Sequence, residues 1–214
     1  MLWNSKELEV ITGGHSIKPF TVNGVSIDTR TLQPNDLFVA LTVKRDGHDF
    51  VLEALKKGAS GVLVSKIPEG ISSECPLLLV NEVKRALDLI GVAGRTRSHA
   101  KIVAITGSVG KTSTKEMLKK SLSKHCLVHV SKKSYNNQWG VPLSLANMPE
   151  NTEVAVFEIG MNHSREIIPL TKLTRPNVAL ITTVELAHTE FFSSIEDIAA
   201  VSYTHLTLPT NREV

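Results

Sequence analysis

The sequence predicts an α/β fold, with a small N-terminal α/β domain followed by a second domain built on a parallel sheet. Three observations support this prediction. Short apolar runs of strand length alternate with helical stretches along the chain. In the second domain these runs are apolar throughout, which is typical of parallel strands covered on both faces. A glycine-containing turn at residues 107–110 then joins one of these runs directly to a helix.

The composition excludes several classes of protein. Of the 214 residues, 42% are hydrophobic and 21% are charged, a balance typical of globular chains and unlike that of disordered ones. No apolar run approaches the ~20 residues of a membrane span, and no secretory signal is visible. The net charge of +3 comes without a dense basic tract, so we expect neither nucleic-acid binding nor membrane insertion. Cys75 and Cys126 have no metal or disulfide spacing, which favours a reducing, cytoplasmic location.

The first hundred residues predict alternating helices and strands. The predicted helices are residues 5–11, 50–57 and 83–97. The predicted strands include residues 37–41, 61–64 and 77–80, and a turn at residues 22–25 separates two more. Gly13 and Gly58 end the first two helices, because glycine readily adopts the left-handed conformation of a helix C-terminus. Asn81 is the predicted cap of the third helix.

The later half of the chain predicts a parallel sheet. The predicted strands are residues 101–106, 127–130, 154–159 and 178–183. A helix over residues 111–124 follows the first of these strands. The polar stretch Arg95-Thr-Arg-Ser-His99 separates the two regions. We therefore place the boundary near residues 97–101, between domains of residues 1–97 and 98–200.

The strongest chemical signal is the segment Thr106-Gly-Ser-Val-Gly-Lys-Thr-Ser-Thr114. A strand, a glycine turn and a helix in this order aim backbone N–H groups and a helix N-terminus at one point, which suits a phosphate. Lys111 would reach the terminal phosphates, and the Thr112 hydroxyl would hold Mg²⁺. The loop is a shortened variant, because the first glycine of the usual pattern is replaced by Ile105. The predicted nucleotide-binding residues are Gly107, Ser108, Val109, Gly110, Lys111, Thr112 and Ser113.

An acidic residue ends the predicted strand at residues 154–159. Glu158 follows four apolar residues, Val154-Ala-Val-Phe157. A carboxylate in this position is often a solvated edge residue or a helix cap. In a sheet that also carries a phosphate-binding loop, it is better placed to bind Mg²⁺ directly or through water.

Two further polar segments have less specific chemistry. Asn136 and Asn137 offer hydrogen-bond donors and acceptors to a phosphate or sugar, but an ordinary asparagine-rich turn explains them equally well. His188 follows a strand end and is either a metal ligand, a base or a structural hydrogen-bonding residue. Ligands of open parallel sheets bind at the carboxyl ends of the strands, which favours a functional role for both segments.

Taken together, these motifs resemble the Mur ligase family. The ATPase domain of that family is similar to Thr106-Gly-Ser-Val-Gly-Lys-Thr-Ser-Thr-Lys-Glu116, to Asn136-Asn-Gln-Trp-Gly-Val-Pro-Leu143 and to Glu158-Ile-Gly-Met-Asn-His163, followed by Ala187-His188. The N-terminal segments Ser26-Ile-Asp-Thr-Arg30 and Asp46-Gly-His-Asp-Phe50 look like the UDP-sugar-binding domain of the same enzymes. The resemblance therefore implies a substrate domain followed by a P-loop ATPase domain.

The resemblance implies an ATP-dependent ligase of peptidoglycan precursor synthesis. In the family, ATP converts a carboxylate to an acyl phosphate, an amine attacks the acyl carbon, and phosphate leaves as an amide forms. The form of the motifs resembles members that join D-Ala-D-Ala to UDP-N-acetylmuramoyl-tripeptide. A member that adds a single amino acid is the alternative. ATP and Mg²⁺ are the implied cofactors, and we expect a monomer.

The same resemblance assigns roles to individual residues. His188 would help to bind a second Mg²⁺ near the acyl phosphate, which makes Lys111, Glu158 and His188 the implied catalytic residues. The metal ligands would be Thr112, Glu158 and His188. The residues implied to contact the substrate are Ser26, Asp28 and Arg30 at its UDP end, together with Asn136, Asn137 and Asn162.

The resemblance extends from residue 1 to about residue 200. Residues 201–214 fit neither a helical period nor the family, and we expect them to be an artefactual tail on a truncated chain. The family continues with the rest of the ATPase domain and a C-terminal domain. We therefore expect an incomplete P-loop ATPase domain, and a chain that does not ligate as written.

Two other functional classes stay open at this point. The first is a different P-loop protein, such as a small kinase or a GTPase. No Asn-Lys-x-Asp guanine-recognition motif follows the loop, and a kinase would leave the N-terminal motifs unexplained. The second is a binding module without catalytic activity.

Overall fold

The computed structural model describes residues 1–72, 74–132, 135–160 and 167–183. Contacts between residues divide the chain into two units, Met1–Ala93 and Gly94–Val214. The division lies inside a helix, a few residues before the boundary proposed from the sequence. In the part of the chain that is described, no helix has both the length and the apolar character needed to span a membrane.

The first unit contains a five-stranded sheet and a separate pair of strands. Its strands are β1 (Trp3–Asn4), β2 (His15–Ser16), β3 (Thr21–Val22), β4 (Gly24–Ser26), β5 (Asp36–Val39), β6 (Gly61–Val64) and β7 (Leu77–Leu79). The sheet has the order β2-β7-β6-β5-β4, and β4 to β7 are parallel. Strands β1 and β3 pair antiparallel. The predicted turn at residues 22–25 thus separates strands of two different sheets, since β3 pairs with β1 and β4 with β5.

The helices of the first unit begin and end where local hydrogen bonds favour it. They are α1 (Ser5–Thr12), α2 (Val51–Lys56), preceded by a 3₁₀ turn (Gly47–Phe50), and most of α3 (Val83–Arg97), the helix in which the division lies. Asn4 and Glu7 form a reciprocal capping box at the start of α1, and Gly13 ends it at a φ of 68°. At α3 the predicted cap was wrong by one residue. The Glu82 carboxylate accepts hydrogen bonds from the N–H groups of Lys84 and Arg85, each at 2.7 Å.

Within its described residues, the second unit contains a four-stranded parallel sheet, as predicted. Its strands are β8 (Lys101–Thr106), β9 (Val128–Val130), β10 (Val154–Glu158) and β11 (Val178–Ile181), in the order β11-β8-β10-β9. Its helices are α4 (Lys111–Leu122), α5 (Gly140–Ala146) and α6 (Ile167–Thr174). Strand β8 lies between β10 and β11, so the carboxyl ends of these three strands share one edge of the sheet.

Each unit has an aliphatic core of its own. In the second unit, alternate residues of β10 divide between the two faces of the sheet, because successive side chains of a strand point in opposite directions. Ala155, Phe157 and Ile159 pack into the core with residues of α5 and α6. Glu158 therefore projects from the opposite face, toward α4.

Candidate functional site

The loop at residues 107–110 connects β8 to α4, as the sequence predicts. Gly107 and Gly110 have φ angles of 128° and 87°, a region that favours glycine. Among the described residues, no side chain caps the N-terminus of α4, a helix of 12 residues that follows Gly110. The N–H groups of its first turn lack acceptors within the helix, and the helix dipole favours an anion there. This geometry suits a phosphate group.

The end of β11 holds the glycine loop in place. A Cβ atom on Gly107 would lie 2.3 Å from the Thr182 hydroxyl oxygen, so only glycine fits against this strand. The N–H of Ser108 donates a hydrogen bond to the Thr183 carbonyl at 2.8 Å, and the N–H of Thr182 donates to Thr106 at 3.0 Å. Thr182 and Thr183, which follow β11, therefore contact the phosphate-binding loop. His188, later in the same segment, lies outside the described residues.

The Lys111 amine lies within the loop. Its Nζ atom donates hydrogen bonds to the carbonyls of Gly107 and Ser108. The side chain is about half-buried, and this burial lowers the pKa of Lys111 below its usual value, while the charge of Glu158 opposes the shift. Exchanging neutral carbonyls for a charged phosphate would strengthen the hydrogen bonds of this amine.

Glu158 meets the first turns of α4 at the end of β10. Its side chain is fully buried. The Thr112 hydroxyl donates a hydrogen bond to Glu158 Oε2 at 3.1 Å. The Lys115 Nζ atom lies 3.0 Å from Glu158 Oε1 and forms a buried ion pair with it. The sequence-predicted residues Lys111, Thr112 and Glu158 are thus brought to one site.

Lys115 is a member of the site whose role the sequence analysis missed. Its side chain is only 1% exposed, and its Nζ atom also donates to the Ser131 carbonyl at 3.0 Å. The signal was present in the helical period, because Lys115 lies on the same side of α4 as Lys111, Leu118 and Leu122. A lysine on the stripe of a helix that faces a sheet needs a buried partner.

The residues of this site fit a magnesium ion. Among the described residues, Glu158 Oε1 accepts no hydrogen bond, although it is buried beside the Lys115 charge. Carboxylate and hydroxyl oxygens are ligands that Mg²⁺ prefers, so Glu158 and Thr112 would hold it. Within the described ranges, no group of three or more His, Cys, Asp or Glu side chains could bind a metal. Water and phosphate oxygens would therefore supply the other ligands.

The predicted asparagines occupy different surroundings. The Asn137 side-chain oxygen accepts hydrogen bonds from the N–H groups of Trp139 at 3.1 Å and Gly140 at 2.9 Å, so it stabilises the start of α5. The Asn136 side chain packs against Gly160, where an added Cβ would lie 2.8 Å from it. Asn136 thus lies near the carboxyl end of β10, next to the Glu158 site. Asn162 falls outside the described residues.

In the first unit, the predicted substrate residues lie at and just after the end of β4, whose last residue is Ser26. The Ser26 hydroxyl contacts the backbone of Asp28, which tightens the turn. Arg30 binds the Asp28 carboxylate with its Nε and Nη2 atoms, the latter at 2.7 Å. The Arg30 side chain is 85% exposed, so opening this ion pair toward a ligand would cost little. The three residues form one hydrogen-bonded loop at the carboxyl edge of the sheet.

A second polar cluster lies at the same edge and includes the motif Asp46-Gly-His48. The Ser65 N–H donates to His48 Nε2 at 3.0 Å, so the ring proton is on Nδ1 and is donated to Asp46 at 2.6 Å. Hydrogen bonds from the backbone N–H and the ring of His48 hold the pKa of Asp46 well below its usual value. The Ser65 hydroxyl also lies 3.2 Å from Nε2. The Ser65 backbone N–H occupies the Nε2 lone pair, so Nε2 is not available to take a proton from the Ser65 hydroxyl. The cluster therefore stabilises a loop and does not activate the serine.

Comparisons with known proteins agree with these features. Residues 105–204 match the Mur ligase middle domain. The UDP-N-acetylmuramoyl-tripeptide–D-alanyl-D-alanine ligase of Rickettsia prowazekii is 44% identical over 199 residues, which cover 93% of this chain and 44% of that protein. The ligase of the same name from Escherichia coli is 36% identical over 91% of this chain and 43% of its own length. This chain thus spans less than half the length of the curated relatives it matches.

Solved structures show the same similarity. A crystal structure of MurF from Acinetobacter baumannii matches 97% of this chain and 47% of that chain, with a TM-score of 0.80 and 30% identity. The MurF ligase of Thermotoga maritima in complex with ADP matches 86% of this chain and 43% of that chain, with a TM-score of 0.70 and 29% identity. The resemblance predicted from the sequence motifs is confirmed, and the chain belongs to the Mur ligase family.

Proposed function

We propose that this chain is part of an enzyme that joins D-Ala-D-Ala to UDP-N-acetylmuramoyl-tripeptide with ATP, through an acyl phosphate. The observation that carries the nucleotide part is the convergence of Lys111, Thr112 and Glu158 at the uncapped N-terminus of α4. The named substrates come from the relatives, which are 44% and 36% identical to this chain.

The residues of the site match what phosphoryl transfer requires. The reaction depends on positioning and charge neutralisation more than on covalent catalysis. The loop N–H groups would hold the phosphates, and the Lys111 ammonium would offset their negative charge. Thr112 and Glu158 would hold Mg²⁺, which supplies further charge neutralisation when bound. His188 remains the proposed ligand of a second Mg²⁺ near the acyl phosphate.

The proposed sugar site lies in the first unit. Ser26, Asp28 and Arg30 would contact the UDP end of the substrate, with the Arg30 guanidinium offering paired donors to a phosphate. The cluster of His48 and Asp46 supports this proposal, because it fixes the neighbouring loop at the carboxyl edge of the sheet. Asn136, Asn137 and Asn162 are proposed to contact the substrate as well.

Calorimetric titration with ATP and Mg²⁺ tests the nucleotide site. Lys111→Ala should remove most of the binding, because it deletes the half-buried cation of the loop. Lys120→Ala is the matched control, since this exposed lysine lies on the same helix. Equal ATP affinity in wild type and Lys111→Ala would overturn the proposal. A parallel titration with GTP separates an ATP-dependent ligase from a guanine-binding P-loop protein.

The prediction that the chain as written does not ligate has a separate assay. Phosphate release is measured with ATP and UDP-N-acetylmuramoyl-tripeptide, with and without D-Ala-D-Ala. Acyl phosphates need protection from water, which a closed active site provides. We expect no release that depends on the dipeptide. Dipeptide-dependent turnover close to that of a full-length relative would contradict this prediction.

A further inference from the structure

The Lys115 ammonium is the most deeply buried cation among the described residues. It lies 3.0 Å from Glu158 Oε1 and 3.0 Å from the Ser131 carbonyl. It also contacts Glu116 Oε1 at 3.3 Å, but the Glu116 side chain is 53% exposed. The two carboxylates differ in kind, since only Glu158 is sealed from water and depends on Lys115 for its counter-charge.

The ion pair between Lys115 and Glu158 changes the local charge that a metal ion would encounter at the site. The carboxylate proposed to bind Mg²⁺ is already neutralised on Oε1 and accepts the Thr112 hydroxyl on Oε2. Lys111 lies close enough to Glu158 for their charges to interact. Among the described residues of the site, two ammonium groups therefore face one buried carboxylate. The Glu116 carboxylate, which also contacts Lys115, is 53% exposed, so water screens its charge. The resulting positive charge disfavours a divalent cation alone and favours a phosphate.

Bound phosphates would reverse this balance. A nucleotide brings several negative charges to the loop, and Mg²⁺ in proteins is commonly held by one or two carboxylates together with substrate phosphates. The metal would then face phosphate oxygens as well as a carboxylate whose position the Lys115 ammonium fixes. Metal and nucleotide affinities would be coupled, and such coupling is reciprocal.

We propose that Lys115 is a positioning residue that serves as the resident counter-ion of Glu158, so that a divalent cation enters the site with a nucleotide and not by itself. The inference rests on the proposed nucleotide site and adds a role for a lysine outside the phosphate-binding loop. Lys111 binds the phosphates, and Lys115, one turn later on α4, neutralises and positions the metal-binding carboxylate of Glu158.

The test uses Mn²⁺ as the metal probe and the full chain, with binding measured by electron paramagnetic resonance of free Mn²⁺. In wild type, Mn²⁺ should bind about tenfold or more tightly with ADP than without it. Lys115→Met removes the counter-ion, so Mn²⁺ alone should bind about tenfold more tightly than to wild type. Added Mn²⁺ should also raise the melting temperature of Lys115→Met more than that of wild type. Glu116→Gln, which removes the exposed partner of the same ammonium, should behave as wild type.

The outcomes separate this inference from the proposed function. Failure of wild type to bind Mn²⁺ with ADP would reject the nucleotide site itself. Equal affinity of wild type for Mn²⁺ with and without ADP would overturn the inference alone. So would a folded Lys115→Met that binds Mn²⁺ no more tightly than wild type. If circular dichroism shows that this variant is unfolded, Lys115→Gln replaces it, because its amide can still donate to the Ser131 carbonyl.

Discussion

At the scale of single residues, the second unit buries charges that need one another. Lys115 and Glu158 are 1% and 0% exposed, and they lie 3.0 Å apart. Removing one partner of such a pair leaves a buried charge without compensation, whereas replacing both with neutral groups is often nearly neutral for stability. The pair is therefore better explained by its place beside the phosphate-binding loop than by a gain in stability.

A double-mutant cycle measures this dependence. Lys115→Met and Glu158→Gln should each lower the free energy of unfolding by about 3–5 kcal/mol, because each leaves its partner unpaired. The double variant should lose far less than the sum of the two, as expected for groups in direct contact. Urea unfolding provides the measurement, with Glu116→Gln as an exposed control. Additive losses would show that the two charges do not interact.

At the scale of elements, the start of α3 distinguishes two candidate caps. Glu82→Ala should cost about 1 kcal/mol of stability, because its carboxylate accepts from two N–H groups of the first turn. Asn81→Ala should change stability by less than about 0.5 kcal/mol, as expected for a surface substitution away from such contacts. Thermal or urea unfolding of both variants tests the assignment. A larger loss of stability from Asn81→Ala than from Glu82→Ala would show that Asn81 is the cap, as the sequence predicted.

A hydrogen bond between β9 and α5 predicts a dependence of stability on pH. His129 donates from Nε2 to the Ser144 carbonyl at 2.9 Å, and burial lowers the pKa of His129 from 6.5 to about 4, with a smaller contribution from Lys132. Below pH 6.5 the unfolded chain binds a proton that the folded chain does not. Stability should therefore fall as pH drops from 6.5 toward 4, by about 3 kcal/mol from this group.

His129→Gln should remove this part of the pH dependence, because glutamine keeps a donor for the carbonyl and does not titrate. Urea unfolding between pH 7 and about pH 4 compares the slopes across the range in which histidine titrates. His125→Gln, at an exposed position, is the matched control. An unchanged slope in His129→Gln would show that the buried ring does not limit stability in acid.

The elements that the sequence predicted well are those with strong local signals. Strand β8, the glycine loop and the start of α4 follow from the spacing of Gly107, Gly110 and Lys111. Roles that depend on tertiary contacts were not predictable in the same way. Lys115 pairs with Glu158, which lies far from it along the sequence. Asn137 forms only short-range hydrogen bonds, to Trp139 and Gly140, which is the ordinary turn role that the sequence had left open. The cap of α3 was displaced by one residue, because Asn81 and Glu82 both have side chains able to cap.

At the scale of the whole molecule, we expect the two units to bind different ligands. Nuclear magnetic resonance titration of the full chain with UDP-N-acetylmuramoyl-tripeptide should shift signals near Ser26, Asp28 and Arg30. The physical reason is that the exposed ion pair of Arg30 with Asp28 can open toward the substrate at little cost. Arg30→Met should weaken the binding, with Lys18→Met as a control on an exposed lysine that pairs with Glu74. Shifts confined to residues away from this loop would contradict the assignment.

The central claim is that the loop between β8 and α4 binds a nucleotide with its metal. A crystal structure of the full chain grown with ADP and Mg²⁺ tests it most directly. We expect the β-phosphate at hydrogen-bond distance, about 3 Å, from Lys111 Nζ and from the N–H groups of residues 107–113. We also expect the metal on the Thr112 hydroxyl, with Glu158 bound directly or through water and still paired with Lys115. ADP bound elsewhere, or ADP in the loop with Lys111 still on the Gly107 carbonyl, would contradict the account.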